Sequence, residues 1–152
     1  LGKGAEFVVR LPIVLEALPP EAVPRQDKPA AMKSAHRVLI VDDNPDSADT
    51  LNMLLSLMGN ETRTAYDGQA GVDVAREFRP EVVLLDIGLP DMDGNELARR
   101  LRQLPRMAST TLIAITGYGQ EADRARTAAA GFDHHFVKPV DMEALLDMIS
   151  AA

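Results

Sequence analysis

Val82-Val83-Leu84-Leu85-Asp86 is a wholly apolar run that stops on a carboxylate, with Pro80 before it and Gly88 and Pro90 opening a loop after it. Four adjacent apolar residues, half of them β-branched and bounded by turn formers, read as a strand buried on both faces. A strand of that kind belongs to a parallel sheet covered by helices. Three other runs repeat the design: Val38-Leu39-Ile40-Val41 stops on Asp42-Asp43, Leu112-Ile113-Ala114-Ile115 on Thr116, and Phe136-Val137 on Lys138. If these strands are parallel, their polar ends share one edge of the sheet. That edge is where open α/β sheets bind and react.

Helical patterns fill the intervals. Asn44-Pro45-Asp46 supplies an N-cap, a proline at the first helical position and an acid in the first turn; Ala48, Leu51, Leu55 and Met58 recur at helical spacing, and Gly59 closes the element. Thr62 to Tyr66 is a short, more polar run suited to an edge strand. A second helix from near Asp67 buries Val74 and Phe78 and stops at Pro80, and a third carries Leu97, Leu101 and Leu104 inward. An alanine-rich helix from about Gln120 to Ala130 ends at Gly131. The fifth strand spans His134 to Val137, and Asp141 caps a last helix with Met142, Leu145, Leu146 and Ile149 inward. Five strands alternating with five helices predict a doubly wound α/β domain with a five-stranded parallel sheet. The order 2-1-3-4-5 sets the first and third strands side by side, bringing Asp42 and Asp43 next to Asp86.

The 152 residues amount to about one domain. Apolar residues make up 46% and charged ones 26%, no run approaches the roughly 18 apolar residues of a membrane span, and no signal peptide is visible, so a soluble, cytoplasmic chain is expected. With no cysteine, disulfides, thiol nucleophiles and Cys-ligated zinc are excluded. The net charge of −7 is uneven: residues 1–34 hold five basic and four acidic side chains, and the remainder eleven and nineteen, a net −8. An acidic domain with no basic stripe is a poor nucleic-acid binder and suits a metal or a cationic partner.

Three carboxylates in one crevice repel each other unless a cation joins them. Mg²⁺ fits: it takes one or two carboxylates, keeps several waters, and leaves room for phosphate oxygens. Asp43 and Asp86 are expected to bind it directly, Asp42 partly through water, with the backbone carbonyl of Gly88 as a further ligand. Thr116 would supply a hydroxyl donor and Lys138 a mobile charge, so that metal, hydroxyl and ammonium together neutralise a transferring phosphoryl group. Asp86, central among them, is the expected nucleophile, forming an aspartyl phosphate.

These residues resemble the response-regulator receiver domain of two-component signalling. The acidic pair Asp42-Asp43, Asp86 ending the third strand, Pro90-Asp91-Met92-Asp93-Gly94 beyond it, Thr116 ending the fourth strand and Lys138-Pro139 after the fifth all match, over roughly Ala35 to Ala152. The resemblance implies a flavodoxin-like receiver fold, Mg²⁺-dependent transfer from a phosphohistidine to Asp86, and a cis Lys138-Pro139 peptide. It also implies a conformational switch made by Thr116 and the residue three before the lysine. That residue is usually aromatic and carbocyclic; here it is His135, an imidazole that can titrate and seek polar partners. The implied partner is a histidine-containing dimerisation or phosphotransfer domain of a sensor kinase, or a separate histidine phosphotransfer protein. No nucleic acid or membrane contact is expected of this piece.

Residues 1–16 have a resemblance of their own. Gly2-Lys3-Gly4-Ala5-Glu6-Phe7-Val8-Val9-Arg10-Leu11-Pro12 looks like the end of a histidine-kinase ATP-binding domain, and Pro19, Pro20, Pro24 and Pro29 in residues 17–35 mark a semi-extended linker. With a receiver at 36–152, this suggests the C-terminal part of a hybrid histidine kinase. The piece itself would self-phosphorylate on aspartate and dephosphorylate, but run no ATP chemistry. The dangling strand from Phe7 to Ile13 could pair with a second copy, so a homodimer is a further expectation.

Taken singly, each of these residues has a plainer reading. An acid after a strand is usually a solvated loop residue, Lys138 a surface charge and Thr116 a strand-end cap; the joint pattern is what argues for a site. Asp91-Met92-Asp93-Gly94 fails as a calcium loop, because its first position would be Leu89 and its twelfth Arg100. His134 and His135, adjacent on a strand, point to opposite faces and read as one surface and one packed histidine. Met53, Met58, Met107 and Met148 read as core or gap-filling residues. Two rival functions are an interaction module that kept the site but lost its switch, and a Mg²⁺ phosphohydrolase. The hydrolase lacks a second acid two residues beyond the nucleophile, where Gly88 stands, and a substrate cap.

Overall fold

Residues 35–117 and 121–152 are described in a computed structural model of the chain; the closing strand, glycine turn and linker expected in residues 1–34 lie outside them. Strands and helices alternate as expected: β1 (Arg37–Val41), α1 (Pro45–Leu57), β2 (Glu61–Ala65), α2 (Gly68–Phe78), β3 (Val82–Asp86), α3 (Gly94–Gln103), β4 (Thr111–Thr116), α4 (Glu121–Ala130), β5 (His134–Val137) and α5 (Met142–Ser150). The five strands form one sheet in the order β2-β1-β3-β4-β5, every neighbouring pair parallel. No helix among the described residues is long and apolar enough to cross a membrane.

The side-chain alternation of a strand builds two cores. Leu39, Val41, Val83, Leu85, Leu112 and Ala114 face α2, α3 and α4, meeting Val72, Phe78, Leu97 and Leu101. Val38, Ile40, Val82, Leu84, Ile113 and Ile115 face α1 and α5, meeting Ala48, Leu55, Leu145 and Ile149. All four apolar residues of β3 are fully buried, at roughly 1.5–3 kcal/mol each. Central β3, paired with β1 on one side and β4 on the other, thus holds firmly what it carries at its end.

The helix starts are set by side chains that satisfy their first free N–H groups. Asn44 accepts from the amides of Asp46 and Ser47 at 3.0 and 3.3 Å, Asp67 from Ala70 at 2.7 Å, Asp93 from Asn95 at 2.8 Å, and Asp141 from Glu143 and Ala144 at 3.1 and 3.2 Å. Helix α2 ends with Arg79 in the left-handed region at φ 51°, one residue before Pro80.

Two of the methionines depart from expectation. Met107 is buried and Met148 packs against the α1/α5 core, but Met53 is 67% and Met58 49% exposed. Met53 follows the buried Ala48 by five residues and so turns away from the sheet. Met58 lies past the end of α1 as its C-cap, where the helical period no longer governs its direction. His134 and His135 are both half-buried rather than one surface and one packed.

Candidate functional site

Register alone assembles the site. Val41 pairs with Leu85 and Asp86 with Ile115, so Asp42, just beyond β1, and Thr116, the last residue of β4, flank Asp86 on either side. Thr116 pairs with Val137, which sets Lys138 just past the same edge; its amide donates to the Thr116 carbonyl at 2.8 Å. The Lys138-Pro139 peptide is cis.

Carboxylate oxygens of Asp42, Asp43 and Asp86 all lie within 4.8 Å of one another. Asp42 and Asp86 are buried and Asp43 is exposed, so the cluster has a closed floor and an open lip. Asp42 is fixed from α1: its Oδ1 accepts from the Asn44 amide at 2.9 Å and its Oδ2 from the Ser47 hydroxyl at 2.8 Å. Asp86 is fixed from its own loop, Oδ1 accepting from the Gly88 amide at 2.9 Å. The Lys138 ammonium donates to Asp86 Oδ2 at 2.5 Å and to Asp42 Oδ2 at 3.3 Å. Burial on its own would lower the affinity of that amine for its proton, but the hydrogen bond and charge of Asp86, with Asp42 behind it, outweigh burial and hold its pKa above the ordinary lysine value.

Of the sequence-predicted residues, the structure thus brings Asp42, Asp43, Asp86 and Lys138 into one cluster, with the Gly88 backbone against Asp86. Thr116 is buried at the end of the neighbouring strand. It lines a cleft of about 380 Å³ with His135, Asn95 and Thr127. His135 Nδ1 lies 3.1 Å from the Thr127 hydroxyl of α4.

Several supporting residues were missed. Asp91, read from sequence only as part of the Pro90–Gly94 motif, caps α2 from outside: it accepts from the Gly68 amide with both oxygens, at 2.9 and 3.0 Å, and from Gln69 at 3.2 Å. Ser47 holds Asp42, and Asn95 is a buried polar residue in the first turn of α3. Only Ser47 left a sequence signal, in its position three residues after the N-cap.

Acidic residues around one lysine, at the reversal in strand order of an open parallel sheet, are equipped to hold a hard cation and to offset a phosphoryl group. The comparisons agree. The family model described as response regulator receiver domain matches residues 38–150. The DNA-binding dual master transcriptional regulator RpaA of Synechocystis is 33% identical over 115 residues, covering 76% of this chain and 48% of that protein. Sensor histidine kinase AtsR of Burkholderia thailandensis is 32% identical over 157 residues, covering 99% of this chain and 25% of that one. The chain therefore spans about half the length of one of these relatives and a quarter of the other. Among solved structures, the receiver domain of sensor histidine kinase PA1611 from Pseudomonas aeruginosa superposes with a TM-score of 0.68 at 27% identity, covering 77% of this chain and 95% of that one, and it has a magnesium ion coordinated in its active-site cleft. With its sheet order, its acidic pocket and this match over most of its length, the chain belongs to the response regulator receiver domains, the modules of two-component signalling whose general function is to accept a phosphoryl group on an aspartate and which bind Mg²⁺ at an acidic pocket.

Proposed function

We propose that Asp86 is the phosphoacceptor of this receiver, that Asp42, Asp43, Asp86 and the Gly88 carbonyl hold Mg²⁺, and that the phosphoryl group arrives from a phosphohistidine. The observation that carries this reading is the Lys138 ammonium seated between Asp86 and Asp42, with Asp43 in the same cluster. Three carboxylates against one ammonium leave two negative charges among hard oxygen donors, which suits one divalent ion. Mg²⁺, when bound, supplies electrophilic neutralisation of the phosphoryl oxygens.

In the transfer, a carboxylate oxygen of Asp86 forms the new bond to phosphorus while the bond from phosphorus to the donor imidazole nitrogen breaks. The electron pair returns to that nitrogen, which takes up a proton. Lys138 is close enough to pass from the carboxylate to an incoming phosphoryl oxygen, and the Thr116 hydroxyl is the second group at hand to meet charge there. Withdrawal of Lys138 and Thr116 towards the phosphoryl group would be felt at His135, making Thr116 and His135 the switch.

The parent is proposed to be a hybrid histidine kinase, with residues 1–16 closing its ATP-binding domain, 17–35 a linker and 36–152 the receiver. The AtsR match over 99% of the chain, and so beyond the receiver, supports this. The donor would be a histidine domain of such a kinase or a separate phosphotransfer protein, acting in the cytoplasm. Pairing of Phe7 to Ile13 between copies is the accompanying proposal for self-association. Incubation with Mg²⁺ and acetyl phosphate or phosphoramidate should add one phosphate, detected by intact mass, at Asp86. Asp86→Asn should take up none; phosphate retained on that variant would move the assignment to another residue.

A further inference from the structure

Four of the described residues have a positive φ. Gly59 and Gly131, at 92° and 98°, stand just past α1 and α4, where helices commonly close on glycine. The other two are arginines, Arg79 at 51° and Arg106 at 70°. A side chain in the left-handed region carries a strain that glycine does not. Both positions hold one nonetheless, and both arginines line the same cleft of about 280 Å³, together with Arg76. Arg79 precedes β3 and Arg106 precedes β4, whose first residues, Val82 and Thr111, are paired. The cleft therefore lies where the strands begin, at the edge of the sheet opposite Asp86.

The walls of the cleft are held by main-chain atoms. The Arg79 amide donates to the Ala75 carbonyl at 3.0 Å, and the Arg79 carbonyl accepts from Arg37 Nε at 3.0 Å. The Met107 amide donates to the Leu104 carbonyl at 3.2 Å, and the Met107 carbonyl accepts from the Arg102 guanidinium at 3.3 Å. None of these bonds uses the side chain of Arg79 or Arg106, so glycine would serve the backbone at both positions. Charge pairing does not account for the arginines either. Among the described residues neither has a carboxylate within salt-bridge distance, and no acid lines the cleft, although residues 35–152 are acidic overall. Arg76 reaches Asp73 only at 3.8 Å, an exposed pair that contributes little.

We propose that this cleft binds a small phosphomonoester, its phosphate meeting the arginines and its apolar body lying against Leu104, Pro105 and Met107, which line the same space. Arg79 and Arg106 contribute two positive charges with no acid beside them, which matches a phosphate of charge about −1.5 to −2 at pH 7. The planar guanidinium fork also fits phosphate oxygens two at a time. The cleft is just smaller than the roughly 300–1,000 Å³ of ordinary small-molecule pockets. It therefore suits one phosphate with a ring-sized body rather than a length of peptide. Binding makes and breaks no covalent bond, and nothing in it depends on Asp86 accepting phosphate.

The test follows backbone amide shifts of the 152-residue chain by NMR, in metal-free buffer at constant ionic strength, with phenyl phosphate, inorganic phosphate and a glutamate-rich peptide as probes. Phenyl phosphate should saturate at millimolar concentration and shift the amides of Arg76, Arg79, Arg106 and Met107. Inorganic phosphate should shift the same amides with weaker affinity, having no body to lay on the apolar residues. Arg79→Gly and Arg106→Gly suit the left-handed backbone and should keep the fold. Each should weaken phenyl phosphate binding about tenfold, as the loss of a charge-assisted hydrogen bond implies, while leaving phosphorylation from a small donor at the parent rate. A response to phenyl phosphate no stronger than that to chloride, shifts centred on other residues, binding undiminished in both glycine variants, or tighter binding of the peptide would each overturn the site.

Discussion

Asp91 closes the first turn of α2 with both carboxylate oxygens on the Gly68 amide, at 2.9 and 3.0 Å, although 23 residues separate the two in sequence. The loop after β3 thereby holds the helix packed beside it. The Gly68 amide, helped by that of Gln69, outweighs some loss of solvent and keeps the Asp91 carboxyl below its ordinary pKa. A depressed folded-state pKa stabilises above the unfolded value and loses that stabilisation as pH falls through the folded one. Asp91→Asn should therefore lower the urea midpoint at pH 7. The gap from the parent chain should begin to close below about pH 3.9. A gap that stays constant from pH 7 down to pH 2 would show that the charge of Asp91 contributes nothing to the cap.

Gly94 is required by close approach. A β-carbon at this position would stand 2.6 Å from Ile87 Cα and 2.8 Å from the Asp86 carbonyl oxygen, both backbone atoms that cannot swing aside. At Gly68 the nearest obstacle is the flexible end of Met92, at 2.8 Å. Gly94→Ala is expected to cost on the order of 1–3 kcal/mol as overpacking. It should also slow phosphorylation from a small donor, because it pushes on the Asp86 peptide. Gly68→Ala should cost less and leave phosphorylation near the parent rate. Equal penalties in urea unfolding would refute the backbone argument.

What the sequence made legible follows from period and register. Runs such as Val82 to Leu85 are apolar on both faces, so they announce a parallel sheet. Once β1 and β3 are neighbours, Asp42 and Asp86 converge with no further information. Asp91 could not be read this way, since its partner is a backbone amide 23 residues distant and any acid in a loop looks alike. Met53 and Met58 misled because a methionine at near-helical spacing is apolar wherever it points; its exposure depends on where the helix ends and how it is rolled. Asn95 was silent for the opposite reason, a polar residue on a helix otherwise expected to show its polar side to water.

Arg102 is another contact of long range that leaves no local signature. From α3 its guanidinium donates to the Gly131 carbonyl at 2.9 and 2.7 Å, to the Thr110 carbonyl at 2.6 Å, and to Asp133 Oδ2 at 2.6 Å. Asp133 Oδ2 in turn accepts from the Leu112 amide at 2.8 Å, so one side chain joins α3 to the starts of β4 and β5. Gly131 fits this corner at φ 98°, where a side chain would be strained and would press on the Arg102 stem at 3.2 Å. A lysine cannot reproduce the planar fork. Arg102→Lys should destabilise by roughly 2 kcal/mol or more, since carbonyls are left without donors. Chemical denaturation of the two chains would measure it, and a loss below about 0.5 kcal/mol, typical of an ordinary surface substitution, would mean the carbonyls find water instead.

Lys138 balances the acidic cluster, and its removal should make the fold lean on a metal. With Lys138→Met, Asp42, Asp43 and Asp86 face each other without the ammonium that now bridges two of them. The variant should melt below the parent chain in the presence of a chelator, and Mg²⁺ should raise its Tm by more than it raises the parent's, because only the ion then offsets the carboxylates. Asp43→Asn should shrink the Mg²⁺ increment in either background. The pH dependence has a definite sign. A lysine whose folded pKa is raised gives its full stabilisation below the unfolded value of about 10.4 and loses it as pH climbs through the folded one. In chelator, the deficit of Lys138→Met should hold steady from pH 6 to 9 and close only in strong alkali. A deficit that disappeared near pH 7, or equal Mg²⁺ increments in parent and variant, would show that Lys138 does not balance these carboxylates.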